Sequence, residues 1–114
     1  MPAFTQRGAL MMKIADDIES QTEELARNLA LEAGKAIRTE GRGEVKASVD
    51  LFRYFGGVAG ELKGETVPYG ESILTYTRRE PLGVVGAIVP WNGPFILASV
   101  KVASLPKSEN SRPL

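Results

Sequence analysis

One short segment limits the folds open to this chain of 114 residues more than any other. Residues 83–89 are uncharged and rich in β-branched side chains, which is typical of a strand buried on both faces of a parallel sheet. Pro90 has no backbone N–H for a ladder bond and therefore predicts the end of that strand. Pro94 stands where a helix tolerates proline, so we expect an apolar helix over residues 95–103. Strand, turn and helix in this order begin a doubly wound α/β unit, and ligands bind at the carboxyl ends of such strands.

The residues around this segment also resemble a known family. Residues 79–92 read Arg-Glu-Pro-Leu-Gly-Val-Val-Gly-Ala-Ile-Val-Pro-Trp-Asn, which closely resembles the segment before the active site of NAD(P)-dependent aldehyde dehydrogenases. Upstream, Leu-Glu-Ala-Gly-Lys at residues 31–35 and Arg-Tyr-Phe-Gly-Gly at residues 53–57 are similar to sequences of the same family. The alternative is that residues 83–92 form only a buried strand that ends in a capped turn.

The resemblance implies an α/β fold that is incomplete in this chain. Its parts would be amino-terminal helices and then the first strand and helix of a doubly wound, Rossmann-like cofactor domain. We expect residues 1–63 to form the helical part, 64–81 a connection with an oligomerisation-type strand, and 82–103 the first strand-turn-helix. Residues 104–114 depart from the family and have the polar, proline-containing composition of a disordered tail.

The first two predicted helices follow from apolar spacing and end signals. Over residues 4–19 the apolar residues recur every three or four positions, which predicts an amphipathic helix; they are Leu10, Met11, Ile14 and Ile18. Ser20-Gln21-Thr22-Glu23 fits a capping box and favours a break before a second helix, the alternative being one long helix with Ser20 facing solvent. Gly34 predicts the end of that second helix.

A third amphipathic helix is predicted from about residue 40 to residue 62. Its buried stripe should contain Val45, Val49, Phe52, Gly56 and Ala59, and its solvent face Glu44, Lys46, Asp50 and Arg53. Residues 63–72 are rich in glycine, proline and polar residues and predict a connection without regular structure. Residues 73–79 read as a strand, which in relatives joins an oligomerisation sheet, with Arg78-Arg79 at a solvated edge or an inter-subunit contact.

Composition excludes several functions. The 14 basic and 14 acidic side chains cancel, so nothing in the charge balance favours nucleic acid or an anionic membrane as a partner. The sequence shows neither a long apolar run nor a signal peptide, and we expect a cytoplasmic protein. It contains no cysteine and no histidine, which excludes disulfides, thiolate metal sites and a cysteine nucleophile within these residues. No metal site is expected.

The resemblance assigns chemistry to five consecutive residues. It implies that Ile88, Val89, Pro90 and Trp91 line the nicotinamide-ribose side of a site for NAD or NADP. It also implies that Asn92 is catalytic, because its amide would stabilise the oxyanion of the thiohemiacetal that a cysteine forms with a small-molecule aldehyde. A homo-oligomer is expected for the complete enzyme.

Two functions are compatible with these residues. The family's nucleophilic cysteine and general-base glutamate would lie beyond residue 103, so the chain would be an inactive fragment of an oxidoreductase that converts aldehydes to carboxylic acids. Alternatively, it is a non-catalytic interaction module, whose helices and strand at residues 73–79 dock onto full-length aldehyde dehydrogenase subunits.

Overall fold

The computed structural model describes residues 4–61, 63–77 and 84–104. These form four helices, α1 Phe4–Ser20, α2 Thr22–Ala33, α3 Arg42–Gly57 and α4 Pro94–Ser104, and a hairpin of β1 Thr66–Pro68 and β2 Leu74–Tyr76. A π-helical turn, Ile37–Gly41, precedes α3, and a 3₁₀ turn, Ala59–Glu61, follows it. Among the described residues, no helix combines the length and apolarity needed to cross a bilayer.

The predicted break between the first two helices is confirmed, but its predicted cap is wrong. Helix α1 ends at Ser20 and α2 begins at Thr22. The Ser20 hydroxyl donates to the Asp17 carbonyl oxygen at 2.8 Å, because Ser20 still belongs to the last turn of α1 and bonds back along it. The Glu23 carboxylate accepts instead from the Arg42 guanidinium of α3, at 2.7 and 2.8 Å.

The second helix ends at the predicted glycine. Gly34 has φ of 66°, in the left-handed region that suits glycine, and the chain leaves α2 there. The third helix is shorter than the predicted span from 40 to 62. It is regular only over Arg42–Gly57, because the π-helical turn precedes it and the glycine pair at its end has low helix propensity.

The core lies where α1, α3 and α4 meet. Its central cluster is Met11, Ala15, Val49, Phe52 and Ala103. The predicted stripe on α3 is confirmed for Val45, Val49, Phe52 and Ala59, all buried. Gly56 packs against α1, where Gly8 faces it. Leu10 does not share the buried face predicted for α1 and is exposed.

Charged residues of the predicted solvent face of α3 have three different outcomes. Lys46 and Asp50 are exposed and pair with each other at 2.9 Å. Arg53 is half-buried and crosses to the carboxylates of α1, at 3.0 Å from Asp16 and 2.6 Å from Glu19. Glu44 is buried, contrary to the prediction, because it turns toward α4.

The connection after α3 contains more structure than predicted. Strand β1 lies within the expected irregular stretch 63–72 and pairs antiparallel with β2, so that Val67 faces Thr75. The predicted strand at 73–79 is confirmed over Leu74–Tyr76, while Arg78 and Arg79 lie outside the described residues. Five of the six strand residues are exposed.

The strand predicted at 83–89 is not formed over 84–89, the part of it that the structure describes. Residues 84–90 belong to no helix or strand, and Val84 is 89% exposed. A parallel strand requires a neighbour for its ladder, and no described segment lies beside this one as a strand. The predicted start of the next helix at Pro94 is confirmed. The expected tail lies outside the described residues after Ser104, and the predicted division into parts stays a prediction.

Candidate active site

The residue predicted to be catalytic lies in a tight turn. Residues 91 and 92 form a turn and residue 93 a bend, between the irregular segment 84–90 and α4. The Leu97 N–H donates to the Gly93 carbonyl oxygen at 3.0 Å, so the helical bonding begins at that glycine. Both Trp91 and Asn92 are exposed, and the Asn92 amide is therefore accessible from solvent.

The four residues predicted to contact a cofactor directly precede Asn92. Ile88 is 87% exposed and Trp91 is 84% exposed, while Val89 is half-buried and Pro90 exposed. The Lys101 ammonium of α4 donates to the Ile88 carbonyl oxygen and holds this segment against the helix. The structure therefore brings an uncharged apolar surface and an accessible amide together, through adjacency in the chain.

Sequence reasoning missed the charged residue beneath this turn. Glu44 of α3 is only 7% exposed, and its Oε1 accepts from the backbone N–H groups of Phe95 and Ile96, at 3.0 Å each. Its Oε2 lies 2.6 Å from the Lys35 ammonium. A usable signal was the four-residue spacing of Glu44 and Ser48, which places them on one face of α3, where both are buried.

The environment of Glu44 favours its charged form. Burial by itself would raise the pKa of this carboxyl. The hydrogen bond from Lys35, the N–H groups of Ile96 and Phe95, and the charge of Lys35 outweigh burial and hold the pKa below its usual value. Glu44 is thus a buried carboxylate at neutral pH.

Two open apolar grooves run along α4, and neither contains Asn92. One has a volume of about 350 Å³ and lies between α4 and the first two helices, lined among others by Ile14, Ile18, Phe95 and Val102. The other, of about 430 Å³, is lined by Ala47, Asp50, Leu51, Tyr54, Ile96 and Val100. Within the described ranges, no three His, Cys, Asp or Glu side chains gather as metal ligands would.

Comparison with known proteins gives one consistent result. Residues 2–105 match the model of the aldehyde dehydrogenase family. An aldehyde dehydrogenase-like protein of Schizosaccharomyces pombe is 45% identical over 98 residues, which are 86% of this chain and 19% of that protein. Mouse cytosolic aldehyde dehydrogenase 1 is 41% identical, over 86% of this chain and 20% of its own length.

Solved structures agree with this result. PnpE in complex with nicotinamide adenine dinucleotide superposes with a TM-score of 0.88 and 39% identity, over 97% of this chain and 23% of PnpE. Glyceraldehyde-3-phosphate dehydrogenase GapN of Methanocaldococcus jannaschii, complexed with NADP, gives 0.85 and 38%, over 96% of this chain and 24% of GapN. The likeness confirms the predicted fold class. The chain spans about a fifth of the length of the curated relatives it matches.

Proposed function

Because the chain belongs to the aldehyde dehydrogenase family, we propose that it forms part of an enzyme that oxidises a small aldehyde to a carboxylic acid with NAD⁺ or NADP⁺. The observation that carries the proposal is the placement of Asn92. Its amide is accessible in the turn of residues 91 and 92, which follows the apolar residues 88–90 and is separated from α4 only by Gly93. Both NAD and NADP remain candidates, since the solved relatives include a complex of each.

In this proposal Asn92 donates a hydrogen bond to an oxygen that becomes negatively charged during the reaction. Attack of a thiolate on an aldehyde carbonyl moves an electron pair onto the carbonyl oxygen. An amide N–H₂ suits this oxygen because it is a donor without a charge of its own to be desolvated. A donor that is fixed beforehand stabilises the transition state without reorganising when the charge appears.

The segment before Asn92 fits a nicotinamide cofactor in character. Ile88 and Trp91 present exposed apolar side chains next to a half-buried Val89, and no charged residue interrupts residues 84–91. Such a surface can contact a flat ring and its ribose while it excludes water from the reacting carbon. When bound, the cofactor would accept a hydride from the substrate. Ile88, Val89, Pro90 and Trp91 would orient it.

The 114 residues contain no cysteine, so the attacking thiolate has to come from sequence outside them. We propose that the chain has no aldehyde dehydrogenase activity by itself. A cytoplasmic location is proposed as well, supported by the cytosolic mouse relative.

The test of Asn92 uses a complete aldehyde dehydrogenase subunit that contains this sequence. Asn92→Ala should lower kcat by about 10²–10³-fold, the usual loss for one oxyanion donor. Asn92→Asp should be at least as damaging, since a carboxylate repels the developing charge. Asn28, an exposed residue of α2, provides matched control variants, Asn28→Ala and Asn28→Asp, which should leave kcat unchanged.

The competing role for Asn92 is that it only stabilises the entry into α4, which would contribute about 1 kcal/mol. Asp supports a helix start as well as Asn does, so Asn92→Asp would then be nearly silent. A fully active Asn92→Asp enzyme would refute the catalytic role.

One observation favours the second candidate, an interaction module. The hairpin exposes Tyr69, Leu74 and Tyr76, and no other described strand pairs with either of its edges, so both can accept another subunit. The same surface supports a homo-oligomer of the complete enzyme.

If the chain is an interaction module, it should comigrate with a full-length aldehyde dehydrogenase in gel filtration, and Leu74→Asp should abolish comigration. A chain that elutes apart from the full-length enzyme would refute it.

A further inference from the structure

We propose that Glu44 is a positioning residue, which fixes the Asn92 turn by holding the first turn of α4 against α3. The proposal rests on the proposed function for its catalytic consequence only. Its structural part, that a buried carboxylate of one helix sets the place of the turn before another helix, stands on the contacts alone.

The first step concerns the free donors at the start of α4. The first N–H groups of a helix have no partner within it, and they are usually satisfied by a side chain at the residue before the helix. That residue is Gly93, which has no side chain to offer. Glu44 takes over this function from 51 and 52 residues away, with Oε1 accepting from both Phe95 and Ile96 at 3.0 Å.

The second step concerns what a distant acceptor does that a local one does not. A Ser or Asp at position 93 would satisfy the same N–H groups wherever α4 lay. A carboxylate on α3 satisfies them only when the start of α4 lies in one place relative to α3. The contact is also charge-assisted and lies at the positive end of the helix dipole, so it is stronger than a neutral hydrogen bond.

The third step concerns the cost of a buried charge. A carboxylate that is 7% exposed loses most of its hydration, which is unfavourable unless partners replace it. Lys35 supplies one, with its Nζ 2.6 Å from Oε2 and its side chain only 17% exposed. The α4 N–H groups supply the rest. Glu44 is therefore satisfied only while α4 is in position, which couples its burial to the position of the turn.

The last step leads to Asn92. Its side chain is exposed, so packing does not fix it, and its position depends on how the backbone on each side is attached. On one side Glu44 holds α4, and on the other Lys101 holds the Ile88 carbonyl. Glu44 is the buried member of this pair and the one that ties α4 to a second helix, α3.

The test measures amide hydrogen exchange and the Asn92 side-chain signals by NMR in the 114-residue chain. Glu44→Ala should speed exchange at Phe95 and Ile96 by about 10- to 100-fold, as expected for a lost hydrogen bond to a charged group. Val45 and Val49 amides report whether the helices remain folded. Glu32→Gln, a substitution of an exposed carboxylate on α2, is the matched control and should change neither the amide exchange at Phe95 and Ile96 nor the Asn92 side-chain signals.

The conservative variant and pH separate positioning from general support. Glu44→Gln keeps an acceptor oxygen but loses the charge, so protection at Phe95 and Ile96 should lie between that of the parent and that of Glu44→Ala. In the parent chain this protection should decline, and the chemical shifts of the Asn92 side chain should change with it, as acid protonates Glu44 beside Lys35. In Glu44→Gln neither change should occur. Unchanged exchange at Phe95 and Ile96 in Glu44→Ala would overturn the proposal. If Glu44→Ala unfolds, a Glu44→Gln chain that keeps the parent's pH dependence overturns it equally.

A kinetic experiment tests the catalytic consequence separately. In a complete subunit with this sequence, Glu44→Gln should lower kcat several-fold and leave the KM for the aldehyde nearly unchanged. If the NMR results hold and Asn92→Ala is kinetically silent, the proposed function fails and the positioning by Glu44 stands. If Asn92→Ala lowers kcat and Glu44→Ala leaves amide exchange unchanged, the proposed function stands and the positioning by Glu44 fails.

Discussion

Replacing Gly8 with alanine would place a methyl group into a very close contact between α1 and α3. A Cβ at Gly8 would lie 2.7 Å from the Gly56 carbonyl oxygen and 3.4 Å from the Ala59 Cβ. The first contact is with backbone, which cannot rotate away as a side chain could. The two helices would have to separate by several tenths of an ångström, at the edge of the cluster that contains Met11 and Phe52.

The magnitude follows from two opposing contributions. Forcing an additional carbon into a packed interface destabilises by about 1–3 kcal/mol. Alanine regains about 0.5–1 kcal/mol over glycine inside a helix. We therefore expect Gly8→Ala to lower the free energy of unfolding by about 1 kcal/mol. Gly43→Ala in α3 is the control, because a Cβ there meets no atom within 4 Å and only the gain applies.

The assay is thermal and urea denaturation followed by circular dichroism. Gly43→Ala should melt slightly above the parent chain and Gly8→Ala clearly below it. For a domain of this size 1 kcal/mol corresponds to about 4–8 °C in Tm. If the two variants melted together, the α1–α3 contact would not be as close as the structure has it, and the argument from the glycine pair would be refuted.

Two further predictions concern a helix end and pH. Gly34→Ala should destabilise the chain by about 1 kcal/mol in urea denaturation, since φ of 66° strains a residue with a Cβ; a variant as stable as the parent would contradict this. Acid should destabilise the chain as well, because hydrogen bonds to cations lower the pKa of Glu23 and Glu61, and Lys35 with two backbone N–H groups does so for Glu44 against the effect of burial. A carboxyl whose pKa is lowered by folding adds stability that is fully present above its unfolded pKa, about 4.3, and is lost as pH falls through its folded pKa. Urea midpoints should therefore be flat from pH 7 to 5 and fall at lower pH. The fall should be less steep in Glu44→Gln.

The sequence was informative where the physical cause is local. Apolar spacing located the helices, Gly34 marked a helix end by its left-handed conformation, and Pro94 marked a helix start. The family resemblance, carried by the residues around Asn92, identified the fold class. The helices and their ends depend on residues within one or two helical turns along the chain, which the sequence shows directly.

The parts that the sequence did not predict depend on distant partners. Glu44 looks like a solvent-facing residue until α4 places two N–H groups above it. Ser20 fits a cap by sequence, yet its hydroxyl finds an acceptor within its own helix and Glu23 pairs with Arg42. Strand β1 ends at a proline and becomes a strand only because β2 returns beside it. Residues 84–90 have strand-like composition, but no strand among the described residues lies beside them.

The exposure of Trp91 makes the chain a natural optical probe. It is the single tryptophan of the sequence, so all indole emission comes from the residue beside Asn92. In the structure this indole is 84% exposed, and its emission should lie at the long wavelengths of a hydrated ring. Anything that covers the turn removes water from the indole and should shift the emission to shorter wavelengths. Binding of a molecule at the turn of Trp91 and Asn92 can therefore be followed in solution by tryptophan fluorescence, without a label.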